Sequence, residues 1–252
     1  SDIDLILVPK DSYLTPIKLE MKKMVPKCYE SIIHHNPFII PKEKKDVFKY
    51  AACSNIKLYY GTDSLQNIEL DESYTNKLCT CLEGLLSYHN VLEQIKSIQK
   101  IEATFCIPIF SSFRFTIGLL NDLNIIDSST YSFKFDQLRD GFVNTESKSL
   151  IFEMFTLFQE TLAEVSKTVI DVFEIDVTNP SDIISFYTTY NKNCSDFDIS
   201  LAQKRMNEIQ EYLFFLSDNN YFYGSAFRTE LHYLKPIKFS FRLYRKLYNK
   251  LI

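Results

Sequence analysis

Ile151, Phe155, Phe158, Leu162, Val165, Val169 and Val172 step along the chain by four, three, four, three, four and three. An α-helix is the element that keeps residues at this spacing on one side. The stripe predicts one long helix over residues 149–175, with Glu153, Glu160, Glu164, Lys167 and Asp171 on its wet side. A helix with so long an apolar face must be covered by other helices. Two further stripes offer the cover. Leu78, Leu82, Leu85, His89, Leu92 and Ile95 form one, and Leu201, Ile209, Tyr212, Leu213 and Leu216 the other.

Helix starts are marked chemically. Asn179-Pro180-Ser181-Asp182 supplies a capping side chain, a proline for the first helical position and an acid behind it. Thr15-Pro16 and Ile40-Pro41 also place proline where a helix begins, and Pro26 interrupts the first candidate helix. Residues 105–120 and 131–143 are rich in Phe and Ile and suit a strand as well as a helix. Gly61-Thr62-Asp63-Ser64 and Asp127-Ser128-Ser129 read as loops. The expected architecture is all-α, about seven to nine helices joined by short connections in a single domain, residues 1–252.

Composition narrows the function. Five glycines in 252 residues are few for a β-sandwich or barrel. Gly61, Gly84, Gly118, Gly141 and Gly224 stand too far apart for a glycine-rich phosphate loop. There is no G-x-S-x-G elbow, and no carboxylate pair lies in an otherwise apolar stretch. No enzyme and no cofactor is expected. Cys79-Thr80-Cys81 lies in a helical pattern where neighbouring positions diverge, so the thiols read as packing residues rather than a zinc pair. His89 falls on an apolar stripe and reads as a hydrogen-bonded core histidine. Asp196-Phe197-Asp198 reads as helix-capping acids rather than a metal site. Six unclustered cysteines and the lack of a membrane-length apolar run predict a cytoplasmic location.

Charge is unevenly divided. Residues 17–50 carry eight lysines against four acids, and residues 235–252 carry six bases and no acid, in a chain of net charge −4. An acidic body with two basic segments points to an anionic partner. Pro41-Lys42-Glu43-Lys44-Lys45 is the sharper of the two. A helix start carries roughly +0.5 charge and unpaired N–H groups, so lysines there cost about 0.3–1 kcal/mol each. The same arrangement favours an anion. The C-terminal segment places Ile237, Phe241, Tyr244, Tyr248 and Leu251 on one stripe, with Lys238, Arg242, Arg245 and Lys246 largely to one side. It is expected to dock by its aromatic stripe and offer its bases as a second anionic contact. The acidic remainder argues against a nucleic-acid partner.

The lysine motif resembles that of the ANTH domain, the phosphoinositide-binding helical module of endocytic clathrin adaptors. Pro41-Lys42-Glu43-Lys44 fits that family's proline-lysine-any-lysine at the start of its second helix, and Lys45 replaces the histidine that follows. Asp46 through Asn55 is similar to the turns after that motif, and Leu82 through Leu92 to a helix with an aromatic-histidine pair. Phe155 through Glu174 and Ile183 through Tyr187 resemble later helices. The family's lysine upstream of the motif is Ser31 here, with Lys27 one turn earlier. The resemblance implies that the helices wind into a helical solenoid or superhelix, and that the chain is a peripheral membrane protein of clathrin-mediated endocytosis or vesicle trafficking. It implies binding of phosphatidylinositol 4,5-bisphosphate by Lys42, Lys44 and Lys45, with Lys27, His34 and His35 nearby. It also implies a SNARE helix as a partner; these residues carry no clathrin motif. The alternative expectation is an all-helical interaction or scaffold subunit without a lipid site.

Overall fold

A computed structural model describes residues 6–7, 38–40, 42–50, 68–98, 103–145, 148–189 and 192–218. The chain is helical throughout these residues, apart from one minimal strand pair. β1 (Ile6–Leu7) lies parallel to β2 (Phe38–Ile39), with Ile6 opposite Phe38 and Leu7 opposite Ile39. A 3₁₀ segment follows at Lys42–Tyr50. The α-helices are α1 (Tyr74–Ile98), α2 (Ala103–Asp122), α3 (Ser129–Thr145), α4 (Lys148–Phe173), α5 (Pro180–Thr188) and α6 (Ile199–Asp218). The two stretches that also suited strands are both helices, α2 and α3. The chain divides into two compact units, residues 72–203 and residues 1–71 with 204–252, and the division falls within α6.

The unit of residues 72–203 is built around the predicted long helix. Ile151, Phe155, Phe158, Leu162, Val165 and Val169 of α4 are buried as the stripe requires. Its last member is corrected: Val172 is 39% exposed and Phe173 takes the buried position. A step of four from Val169 keeps the face there better than a step of three. The helix then stops at Glu174, whose φ of 57° is the left-handed conformation of a helix C-terminus. Phe158 meets Phe113 of α2 edge-on with centroids 5.0 Å apart, Phe110 at 5.6 Å and Tyr88 of α1 at 6.1 Å. Phe135 of α3 closes the cluster against Phe110 and Phe113.

Polar side chains tie these helices together. The Tyr88 hydroxyl donates to Ser112 Oγ at 3.0 Å and lies 3.0 Å from Thr116 Oγ1. His89 Nε2 is 2.8 Å from Ser166 Oγ, so the expected hydrogen bond is present, but the ring is half-buried at the edge of the core and not inside it. The Tyr187 hydroxyl of α5 donates to the Cys79 carbonyl and to Glu83 of α1. α1 and α2 approach most closely at Gly84, where a Cβ would lie 3.1 Å from Thr116 Oγ1.

Helix ends follow the sequence signals. Asn179 caps α5 by accepting the Ser181 N–H at 3.0 Å, and Pro180 stands in the first turn. Asp198 caps α6 by accepting the Leu201 N–H at 3.1 Å, as expected of the acids there. Leu201 itself is only half-buried. Ala202, Arg205, Ile209 and Tyr212 form the buried line of α6, so the third stripe is shifted by one position at its start. Arg205 is 2% exposed, a buried charge among those apolar side chains.

Candidate functional site

The basic turn starts the Lys42–Tyr50 segment. The expected helix is present, but wound as a 3₁₀ helix, with three residues per turn. That winding decides which side chains stand together. Residues three apart are eclipsed, so Lys42, Lys45 and Phe48 share one column, Glu43, Asp46 and Lys49 a second, and Lys44, Val47 and Tyr50 a third. Val47, Phe48 and Tyr50 are buried and anchor the segment from two of these columns. Lys42 is exposed and Lys45 half-buried.

The three lysines of the motif therefore do not act as one group. Lys44 is committed to α6, where its Nζ lies 3.1 Å from Glu211 Oε2. One column away, Lys49 Nζ lies 3.0 Å from Glu208 Oε2 and 4.6 Å from the centre of the Tyr50 ring. The 3₁₀ segment and α6 thus run antiparallel, joined by two ion pairs. The Asp71 N–H donates to the Lys49 carbonyl at 2.7 Å, closing the far end of the segment. Lys42 and Lys45 form no ion pair among the described residues, and they stack on one column at the end that carries the free N–H groups.

The titration behaviour of the second pair is that of an ion pair. Burial works against the charge on Glu208, but the Lys49 ammonium and the Tyr50 hydroxyl outweigh it and hold its carboxyl below the ordinary glutamate range. Burial likewise opposes the Lys49 charge, and the contacts with Glu208 and Tyr50 outweigh it, raising its ammonium. The Lys44–Glu211 pair is more exposed, with Glu211 two-thirds open to water. Such pairs contribute about 0–1 kcal/mol, so Glu211 holds Lys44 only weakly.

Among the other expected site residues, Lys27, His34, His35, Lys238, Arg242, Arg245 and Lys246 lie outside the described residues. Glu208 and Glu211 were not singled out from sequence. Their signal, two acids one turn apart on a helical pattern, is common and names no partner 167 positions away. Among the described residues no three His, Cys, Asp or Glu side chains converge as a metal site. Cys79 and Cys81 are buried, and desolvation, then the neighbouring Cys79, pushes the Cys81 thiol far up, away from a reactive thiolate. No helix among the described residues is long and apolar enough to cross a membrane.

No family model, curated protein or solved structure matches the chain.

Proposed function

We propose that this chain is a non-catalytic helical binding module. It docks on anionic membrane surfaces through the turn Lys42–Lys45, acting as a phosphoinositide-binding adaptor in clathrin-mediated endocytosis or vesicle trafficking. The observation that carries the reading is the exposed Lys42 stacked with Lys45 on one column at the open end of the 3₁₀ segment, neither engaged by an acid of the described residues. Two ammonium groups beside unpaired N–H donors suit the closely spaced phosphates of phosphatidylinositol 4,5-bisphosphate. Lys44 joins them once the headgroup competes with Glu211. The attraction is electrostatic and shallow, so it weakens as salt shortens the Debye length from ~10 Å at 0.1 M. Co-sedimentation tests it: the wild type pellets with vesicles carrying this lipid and not with neutral vesicles, and Lys42→Glu/Lys45→Glu stays in the supernatant with its melting temperature intact. Equal pelleting of both proteins sinks the reading.

A second reading, a helical interaction or scaffold subunit without a lipid site, draws on the ion pair that already occupies Lys44. It predicts that neither protein pellets with vesicles.

A further inference from the structure

The outer side of the α3–α4 hairpin carries an open groove of about 440 Å³, lined by Lys134 and Leu138 on one helix and Phe152, Glu153, Leu157 and Glu160 on the other. Its floor is apolar, and Phe152 is 59% exposed, the most exposed large hydrophobic side chain among the described residues. Phe152 follows Ile151 of the buried stripe, and one residue turns a helix by about 100°, so the side chain is carried off the core face. The hairpin is closed at both ends of the groove. A Cβ on Gly141 would lie 3.2 Å from Leu150 Cδ1 at the near end, and Tyr131 meets Glu164 at the far end. Burial and then that carboxylate push the Tyr131 hydroxyl up to about 12, as expected of a phenol donating to an acid. The rims differ in charge. Lys134 stands on the α3 rim and Glu153 and Glu160 on the α4 rim, all exposed and none in an ion pair among the described residues.

We infer that this groove is the interface of a two-fold homodimer. A rim of one sign facing a rim of the other is self-complementary under a two-fold axis that runs along the hairpin. Such an axis sets α3 of one protomer against α4 of its partner at equal height. Gly141 beside Leu150 and Tyr131 beside Glu164 fix the register of the hairpin, and that register puts Lys134 level with Glu160. Each Lys134 then meets a Glu160 of the other copy, twice over, and each Phe152 is buried near Leu138 and Gly141 across the axis. The interface pairs Lys134 with Glu160, neither in an ion pair among the described residues, and covers Phe152, the most exposed large hydrophobic side chain among them, while Glu153 stays at the wet edge of the rim. It rests on the groove alone and is independent of the basic turn.

Sedimentation equilibrium of the whole chain across the micromolar range tests the inference. The wild type self-associates, and Phe152→Ala weakens the dimer by about 30-fold, as loss of a central aromatic anchor does. Lys134→Glu and Glu160→Lys singly weaken it by about 10-fold through like-charge contact. The double variant K134E/E160K restores it, because the exchanged charges again meet across the axis. All three positions are exposed, so circular dichroism and melting temperature stay those of the wild type. A wild type that remains monomeric overturns the proposal, as does a dimer indifferent to Phe152→Ala. A double variant no better than its single parents also overturns it, and assigns the groove to a different partner.

Discussion

Phe158 is the residue on which the aromatic core of α1, α2 and α4 converges, with three rings within about 6 Å of its own. Phe158→Ala is expected to cost about 3–5 kcal/mol in denaturant unfolding, through lost burial and the cavity left behind. An unchanged midpoint would mean that the ring is not packed as described. Two glycines give a sharper contrast. Both sit in helices, where alanine is worth up to ~1 kcal/mol over glycine. At Gly118 nothing lies within 4 Å of a new Cβ, so Gly118→Ala is expected to stabilise by about 0.5–1 kcal/mol. At Gly84 the Cβ meets Thr116, whose hydroxyl is held by Tyr88 and the Ser112 carbonyl and cannot easily give way. Gly84→Ala is therefore expected to destabilise by about 1–3 kcal/mol. If both variants shift the melting temperature in the same direction, the close α1–α2 approach is wrong. Phe158 was legible in the sequence because it repeats with its neighbours at helical spacing. The approach at Gly84 was not, because nothing near Gly84 names Thr116.

At the scale of elements, local chemistry was legible and distant pairing was not. Asn179-Pro180 announced α5, and the expected cap is present, accepting the Ser181 N–H. Asn179→Ala should cost about 0.5–2 kcal/mol and leave the other helices in place, a change that hydrogen exchange can localise to α5. The ends of the stripes were less legible. Val172 and Leu201 each gave way to the adjacent residue, because steps of three and four bracket the 3.6-residue turn and the buried face drifts between them towards a helix end. α2 and α3 read as either element, since short runs of Phe and Ile carry no period of their own. The winding of Lys42–Tyr50 was hidden too: its lysine motif marks a start, while burial of Val47, Phe48 and Tyr50 and the pairs with α6 select the geometry. The Glu208–Lys49 pair gives this contact a pH signature. A glutamate held below its unfolded value stabilises above that value, and the contribution is lost as pH falls through its folded one. Glu208→Gln should be less stable than the wild type near neutral pH, and the gap should close in acid. A gap that persists unchanged at low pH would assign the loss to packing instead of charge.

For the whole molecule, the sequence indicated an all-helical chain and an excess of base at one turn; the described residues are helical apart from the β1–β2 pair, and the basic turn is present. The family resemblance rests on that turn, and the structure divides its three lysines in a way no linear motif displays. Lys42 and Lys45 stand together, and Lys44 is held by an acid from α6. This division makes the membrane proposal directional. Glu211 competes with the headgroup for Lys44, so removing its charge should strengthen binding, whereas reversing Lys42 and Lys45 should abolish it. A charge near an anionic surface is worth about 1 kcal/mol, close to five-fold in affinity. The decisive measurement is the dissociation constant for vesicles containing phosphatidylinositol 4,5-bisphosphate, taken at one fixed salt concentration for the wild type, Glu211→Gln and Lys42→Glu/Lys45→Glu. The predicted result is binding about five-fold tighter than wild type for Glu211→Gln and none for Lys42→Glu/Lys45→Glu. Three equal constants, or no binding by any of the three, would contradict the account.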